Sequence, residues 1–286
     1  MNQHLFCFGL GYTAARLVTS LSNSGDWIFS GTSRSERSLG KVAMYNLDSL
    51  LVLPDDITHI LISIPPKDKG DIIYERFSRQ IAKLKNLKWL GFLSSTGVYG
   101  DHKGEWVNEE SMVSVGAQVA RARLLAESQW LGLEGVPSHI LRLSGIYGPG
   151  RSQLENAISG RLKIIDKPDV IFSRIHVDDI VKALTASMVS PNAGSIYNLA
   201  DDYPCNSREV SEFACKLLGI TPPAPILLEE AALTEMGLSF YSQSKRVSNS
   251  KIKRELLLNW TYPTYKEGML AIAKECGYYD FSRNLV

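Results

Sequence analysis

Leu5-Phe6-Cys7-Phe8-Gly9-Leu10-Gly11-Tyr12-Thr13-Ala14 stands almost at the start of the 286-residue chain. A short apolar run stops at Gly9, a second glycine follows at Gly11, and Ala14 fills the third small position. This is the G-x-G-x-x-A spacing that joins a buried strand to a helix. Gly9 permits the tight turn, Gly11 has no side chain to hold a pyrophosphate away, and Ala14 lets the helix lie against its strand. The helix end then offers free N–H groups and a partial positive charge to phosphate oxygens. The stretch predicts a dinucleotide site built from Gly9, Gly11, Tyr12, Thr13 and Ala14.

Working outward, Trp27–Thr32 reads as the second strand, and the residue types at its end bear on the dinucleotide. A site for NAD usually places an acid about 20 residues beyond the glycines to hold the ribose hydroxyls. Here the chain reads Thr32-Ser33-Arg34-Ser35, with Glu36 and Arg37 following. Ser33 and Arg34 offer a hydroxyl and a cation to a 2′-phosphate, so NADP is expected, with NAD left open. Residues 59–64 form an almost continuous apolar run, as a parallel strand buried on both faces requires. It ends at Ser63-Ile64-Pro65-Pro66, at the carboxyl edge where ligands gather in open α/β sheets, so Ser63 joins the cofactor set.

Composition narrows the function class. The net charge is +1, which supplies no field for nucleic acid or an anionic membrane. Cys7, Cys205, Cys215 and Cys276 are scattered without a C-x-x-C pair, so they read as reduced thiols of a cytoplasmic protein and not as a zinc site or disulfide framework. The first apolar run lacks a basic flank and cleavage pattern, and no run reaches transmembrane length. A small-molecule ligand is the expected partner, and no metal site is expected.

Strands and helices alternate through about residue 150: strands at 42–47, 89–93 and 138–144, helices at 74–84 and 115–131. The fold class expected is α/β, a doubly wound parallel Rossmann sheet with a small C-terminal unit on the substrate side. Residues 1–150 would form the dinucleotide-binding domain, completed by about 174–200. Residues 151–173 and 201–286 would form the smaller unit, with helices at Ser207–Leu218, 228–236 and from Lys251.

Five segments in all carry a family likeness: residues 8–14, 94–100 (SSTGVYG), 141–150 (LRLSGIYGPG), 172–180 (FSRIHVDDI) and 195–200 (SIYNLA). In order and spacing they resemble the extended short-chain dehydrogenase/reductases of the NAD-dependent epimerase/dehydratase type, over roughly the first two hundred residues. The stretch 244–256 is similar to that family's C-terminal substrate-side region. The resemblance implies an oxidoreductase or epimerase acting on a small carbonyl or sugar-nucleotide type substrate, and a homodimer paired through the helix at 115–131.

The resemblance also implies a Ser or Thr after the fifth strand, then Tyr-x-x-x-Lys on the next helix. Ser95, with Thr96 beside it, takes the first place. Arg123 stands where the lysine belongs and Val119 where the tyrosine belongs, and no tyrosine lies between Gly100 and Ile146. Valine carries no proton, and arginine stays charged, so Arg123 can hold ribose hydroxyls but not relay protons. General acid–base groups contribute about 10²–10⁴-fold, so the centre is altered. Tyr99, Tyr147 and His102 are the replacement donors considered; Tyr99 is expected to pack. Thr96 and Gly97 follow Ser95 where the family's dehydratases carry an acid pair, which argues against sugar dehydration. Asp178 or Asp179 would cap a helix. Arg174 is a candidate for an anionic substrate, and Lys245 and Arg246 are candidates for the cleft or for solvent. The alternative function is a non-catalytic NAD(P)-binding sensor or scaffold.

Overall fold

β1 (Gln3–Phe8) buries every side chain from His4 to Phe8. Its odd and even positions serve opposite faces: Leu5 and Cys7 join one apolar cluster, Phe6 and Phe8 another. A strand buried on both faces needs helices on both sides, and the computed structural model supplies them. It describes residues 3–23, 25–33, 40–67, 70–114, 116–189 and 192–278.

In chain order, α1 (Tyr12–Ser22) follows β1, then β2 (Trp27–Thr32), β3 (Ala43–Tyr45), β4 (His59–Ile62), α2 (Ile72–Ile81) and β5 (Trp89–Ser95). A 3₁₀ turn at Thr96–Tyr99 leads to β6 (Trp106–Val107), α3 (Gln118–Leu131), β7 (Ser138–Leu143), β8 (Gly145–Tyr147) and α4 (Gln153–Ile158). Then come β9 (Arg174–His176), α5 (Val177–Val189), β10 (Ile196–Leu199) and α6 (Ser207–Leu218). A second 3₁₀ turn at Leu228–Ala231 precedes α7 (Glu235–Tyr241), β11 (Arg246–Val247), α8 (Ser250–Glu255) and α9 (Tyr265–Glu275).

The central sheet has seven parallel strands in the order β10-β7-β5-β4-β1-β2-β3. The chain winds outward in both directions from β1, so the switch point lies between β1 and β4, above the glycine turn. One face carries Leu17 and Val18 of α1 with Ile180 and Leu184 of α5. The other carries Ile73 and Phe77 of α2 with Ala126 and Trp130 of α3. The doubly wound sheet is the one expected. A third cluster joins Leu154, Val210, Ala214, Tyr265, Met269 and Ile272, drawn from α4, α6 and α9 away from the sheet. Among the described residues no helix is long and apolar enough to cross a membrane.

Several local expectations need correction. The helix expected at 74–84 is Ile72–Ile81, because Asp71 caps it by accepting from Ile73 N at 2.8 Å. The Asp71 carboxylate also takes the Trp130 indole N–H at 2.6 Å, which fixes α2 against α3. The helix at 115–131 begins at Gln118, after Ala117 in an extended conformation. The single helix expected at 228–236 is broken, because Ala232 takes a left-handed φ of 46° and Thr234 caps a new helix. Neither Asp178 nor Asp179 is a helix cap; both sit in the first turn of α5. Asp178 pairs with Arg16 at 2.6 Å and ties α5 to α1. Asp179 is buried and accepts from Thr261 N and Tyr262 N at 2.7 and 2.9 Å.

Two buried histidines give the fold a pH dependence. His176 is 1% exposed, and its Nε2 has no partner among the described residues. His59 lies between Trp27 and Trp89, with ring centroids 5.0 and 6.4 Å away. Burial pushes both imidazoles down to about 4, so each stays neutral in the folded state. The unfolded chain takes up a proton at each below about pH 6.5, and each shift corresponds to about 3 kcal/mol. Stability from these groups is present above pH 6.5, is lost as pH falls toward 4, and levels off below. Asp201, whose carboxyl burial raises to about 8, works in the opposite sense. Urea titrations of wild type and His176→Gln isolate the effect: their stability difference should change by one proton's slope between pH 6.5 and 4.

Candidate active site

The glycine turn is built as its sequence requires. Gly9 takes φ +89°, and a Cβ there would meet Ile64 Cγ1 at 2.7 Å and Ser63 Oγ at 2.9 Å. Its N–H donates to Thr32 Oγ1 at 2.9 Å. Ser63 Oγ donates to the Gly9 carbonyl at 2.5 Å, so the end of β4 clamps the turn. Gly11 sits at the N-cap of α1 with no side-chain cap, and a Cβ there would meet nothing within 4 Å. Ala14 is fully buried against the sheet. Tyr12 leans out of the turn, its hydroxyl donating to Pro149 O at 3.0 Å, with the Arg151 guanidinium 5.7 Å above its ring.

A cavity of about 720 Å³ opens over this turn at the carboxyl edge of the sheet. Its floor includes Gly11, Tyr12, Thr13, Ser63, Ser95, Thr96 and Arg123. Its far wall comes from segments about a hundred residues later, including Phe172, Arg174, Phe240, Tyr241 and Lys245. Four cations line it (Arg123, Arg151, Arg174 and Lys245), and no carboxylate does among the described residues.

Ser95 ends β5 and its Oγ accepts from Gly97 N at 3.1 Å, which caps the 3₁₀ turn. Thr96 is buried, its hydroxyl turned toward Leu143 O at 3.4 Å. Arg123 is half-buried on α3. It has no hydrogen-bond or ion-pair partner among the described residues, and burial holds its guanidinium below the usual range, partly offset by Glu127 one turn on. Glu127 is engaged beneath the cavity: it pairs with Arg142 at 2.7 Å and accepts from Ser94 Oγ at 2.5 Å. Arg142 donates to Tyr99 Oη at 3.0 Å, and Tyr99 in turn donates to Asn198 Oδ1 at 2.8 Å. Tyr99 is thus 2% exposed and structural.

The remaining candidates separate clearly. Val119 is 65% exposed in the first turn of α3 and is not among the cavity-lining residues. Ser33 is not on the lining, and Arg34, Glu36 and Arg37 lie outside the described residues. Tyr147 is packed in the α4, α6 and α9 cluster, and burial raises its phenol strongly. His102 lies off the cavity, edge-on to Tyr99. Arg174 makes no ion pair among the described residues; it donates to the carbonyls of Phe172 and Cys205, both at 3.1 Å, while lining the cavity. Arg246 turns away to donate to Gly104 O.

Sequence reading missed Phe172, Phe240, Tyr241 and Arg151 as cavity residues, and left Lys245 undecided. The adjacent aromatics Phe240 and Tyr241, five and four residues before Lys245, were the available signal.

A dinucleotide fits these residues. The uncapped N-terminus of α1 and the open space over Gly11 form a cradle for a pyrophosphate, with no carboxylate among the described lining residues.

No family model matches the chain. A solved structure described as a functionally unknown conserved protein from Silicibacter pomeroyi DSS is 38% identical, with a TM-score of 0.89, covering 96% of this chain and 99% of that one. Protein YeeZ of Escherichia coli K12 is 27% identical over 280 residues, 89% of this chain and 94% of that protein. MoeE5, solved with UDP-glucuronic acid and NAD, superimposes with a TM-score of 0.78 at 19% identity, covering 96% of this chain and 99% of that one. The chain therefore belongs to the family of the Silicibacter pomeroyi protein, and it is built on the fold of the NAD-dependent epimerases and dehydratases.

Proposed function

We propose that this chain is an NAD(P)-dependent oxidoreductase or epimerase-like enzyme with an altered catalytic centre, taking a small anionic carbonyl compound or a sugar nucleotide. The observation that carries the reading is the cavity: a phosphate cradle at one end and, among the described residues, four cations around it and no carboxylate. The fold it shares with MoeE5, which was solved holding NAD and a sugar nucleotide, supports the same class of ligands. Residues 1–150, completed by about 174–200, are read as the dinucleotide domain, and 151–173 with 201–286 as the substrate side.

Gly9, Gly11, Tyr12, Thr13, Ala14 and Ser63 would hold the dinucleotide, with Ser33 and Arg34 at the ribose and Arg123 toward the nicotinamide. When bound, the nicotinamide ring supplies hydride chemistry. Ser95, with Thr96 beside it, positions the substrate oxygen, and Arg123 adds positive potential where charge develops. Leu93, Leu143 and Ile146 give the floor an apolar lining. The chain is read as cytoplasmic, in keeping with free thiols at Cys7, Cys205, Cys215 and Cys276. A homodimer through α3 is supported by the exposed apolar side chains of Val119 and Leu125.

Valine at 119 favours a second reading, a sensor that binds the dinucleotide without turnover. Calorimetry with NADP(H) and NAD(H), followed by a screen of carbonyl compounds and sugar nucleotides, separates the two. Dinucleotide binding with turnover of any substrate supports the enzyme; binding without turnover across the screen supports the sensor. The same calorimetry tests the cofactor. NADP(H) should bind about tenfold more tightly than NAD(H), the worth of one charge-assisted contact, and Arg34→Ala should abolish the difference. Equal affinities in the wild type would return the choice to NAD.

A further inference from the structure

The altered centre leaves a chemical gap, since neither Val119 nor Arg123 can exchange a proton at working pH. The titratable side chains lining the cavity are Tyr12, Tyr241, Lys245, Arg123, Arg151 and Arg174. The arginines stay charged. Tyr12 is spent on Pro149 O, and burial pushes its phenol up to about 12. The Tyr241 hydroxyl shares a hydrogen bond with Ser207 Oγ at 2.9 Å, and no charged group contacts it among the described residues.

Lys245 differs. Its Nζ donates to Gly100 O at 2.8 Å and to Gln243 Oε1 at 3.1 Å. Those two acceptors use two of the three ammonium protons and leave one for a ligand. Its backbone N–H is directed to Ile171 O at 3.4 Å, so the residue is fixed at both ends in the cavity wall. The charged group acting on it is Asp101, on the loop after the 3₁₀ turn, held by Ser244 N at 2.8 Å and Lys103 N at 3.1 Å. Gly100 and Gln243 present neutral oxygens. Burial outweighs Asp101 and lowers the ammonium to about 8, the range in which a group both gives and regains protons.

We propose that Lys245 is the proton-transferring group of this site, taking the role that a tyrosine at position 119 would otherwise fill. The assignment rests on the reductase reading above. In carbonyl reduction the substrate carbon gains a hydride, with oxidation of a reduced nicotinamide dinucleotide. The substrate oxygen gains the Lys245 proton, and the neutral amine recovers its proton from solvent. The reverse direction uses the neutral amine as base.

Two measurements test it. Competitive acetylation with acetic anhydride from pH 6 to 10, read by peptide mass spectrometry against N-acetyl-lysine, should place Lys245 half-reactive near pH 8. A Lys245 that titrates with the free standard overturns the assignment. Turnover is then followed with 4-carboxybenzaldehyde, an anionic aryl aldehyde, and the bound dinucleotide. Lys245→Met should lower kcat roughly 100-fold or more, leaving dinucleotide Kd within about threefold; Lys245→Arg, which keeps the charge but does not release its proton at working pH, should not rescue it. Wild-type kcat should show a limb near pH 8 that both variants lack. Turnover of Lys245→Met within threefold of wild type, or a loss confined to Tyr241→Phe, overturns Lys245 alone. A wild type that binds dinucleotide and turns over no carbonyl probe overturns the reductase reading and the assignment with it.

Discussion

Gly11→Val should fold as the wild type does and bind the dinucleotide roughly a hundredfold more weakly, a loss of about 2.7 kcal/mol. Position 11 has open space where a side chain would stand and caps a helix whose N–H groups are free. Branched methyl groups on a Cβ that itself meets nothing within 4 Å fill the approach of a pyrophosphate. Gly9→Val is the opposite case. Its side chain would collide with Ile64 and Ser63 from a φ of +89°. Overpacking and left-handed strain together cost about 3–5 kcal/mol. Calorimetry and thermal melts on the pair should show Gly11→Val losing affinity at unchanged Tm, and Gly9→Val losing Tm. Full affinity in Gly11→Val would put the dinucleotide somewhere other than this turn.

Glu127→Gln should destabilise the protein by about 3–5 kcal/mol, because it leaves the Arg142 charge buried without its partner. Both side chains are about 4% exposed, and the guanidinium reaches Glu127 with two nitrogens. The double variant Glu127→Leu with Arg142→Met should recover much of the loss, since a buried pair contributes little beyond apolar residues of similar volume. Urea denaturation of the single and double variants measures both. A loss below about 1 kcal/mol in Glu127→Gln would show that Ser94 and Tyr99, not the ion pair, hold this layer together.

The sheet was legible because its strands are short apolar runs closed by glycine, serine or proline, and Gly9, Gly11 and Ala14 have one physical reading. Ser95 and Arg123 were singled out only through the family resemblance of residues 94–100 and 123–127, and both line the cavity. Helix starts at Ile72 and Gln118 were not, because caps such as Asp71 depend on what else the side chain reaches, here Trp130. Asp178 and Asp179 looked like caps from their type and position; their partners Arg16, Thr261 and Tyr262 lie 82 to 162 positions away and leave no mark nearby. Lys245 could not be told from a surface cation for the same reason. What makes it unlike one is the carbonyl of Gly100 and the walls around it.

That contact between Lys245 and Gly100 spans 145 positions. At ordinary synthesis rates of about 5–20 residues per second, the second partner leaves the ribosome roughly 7–30 seconds after the first. The phosphate cradle needs only the first two strands beside β4 and is complete early. On the proposed reading, the nascent chain therefore holds the whole dinucleotide cradle well before it owns a wall for the substrate. Early loading would steady the half-made sheet, and the reactive end of the ligand would wait for the C-terminal segment to close over it.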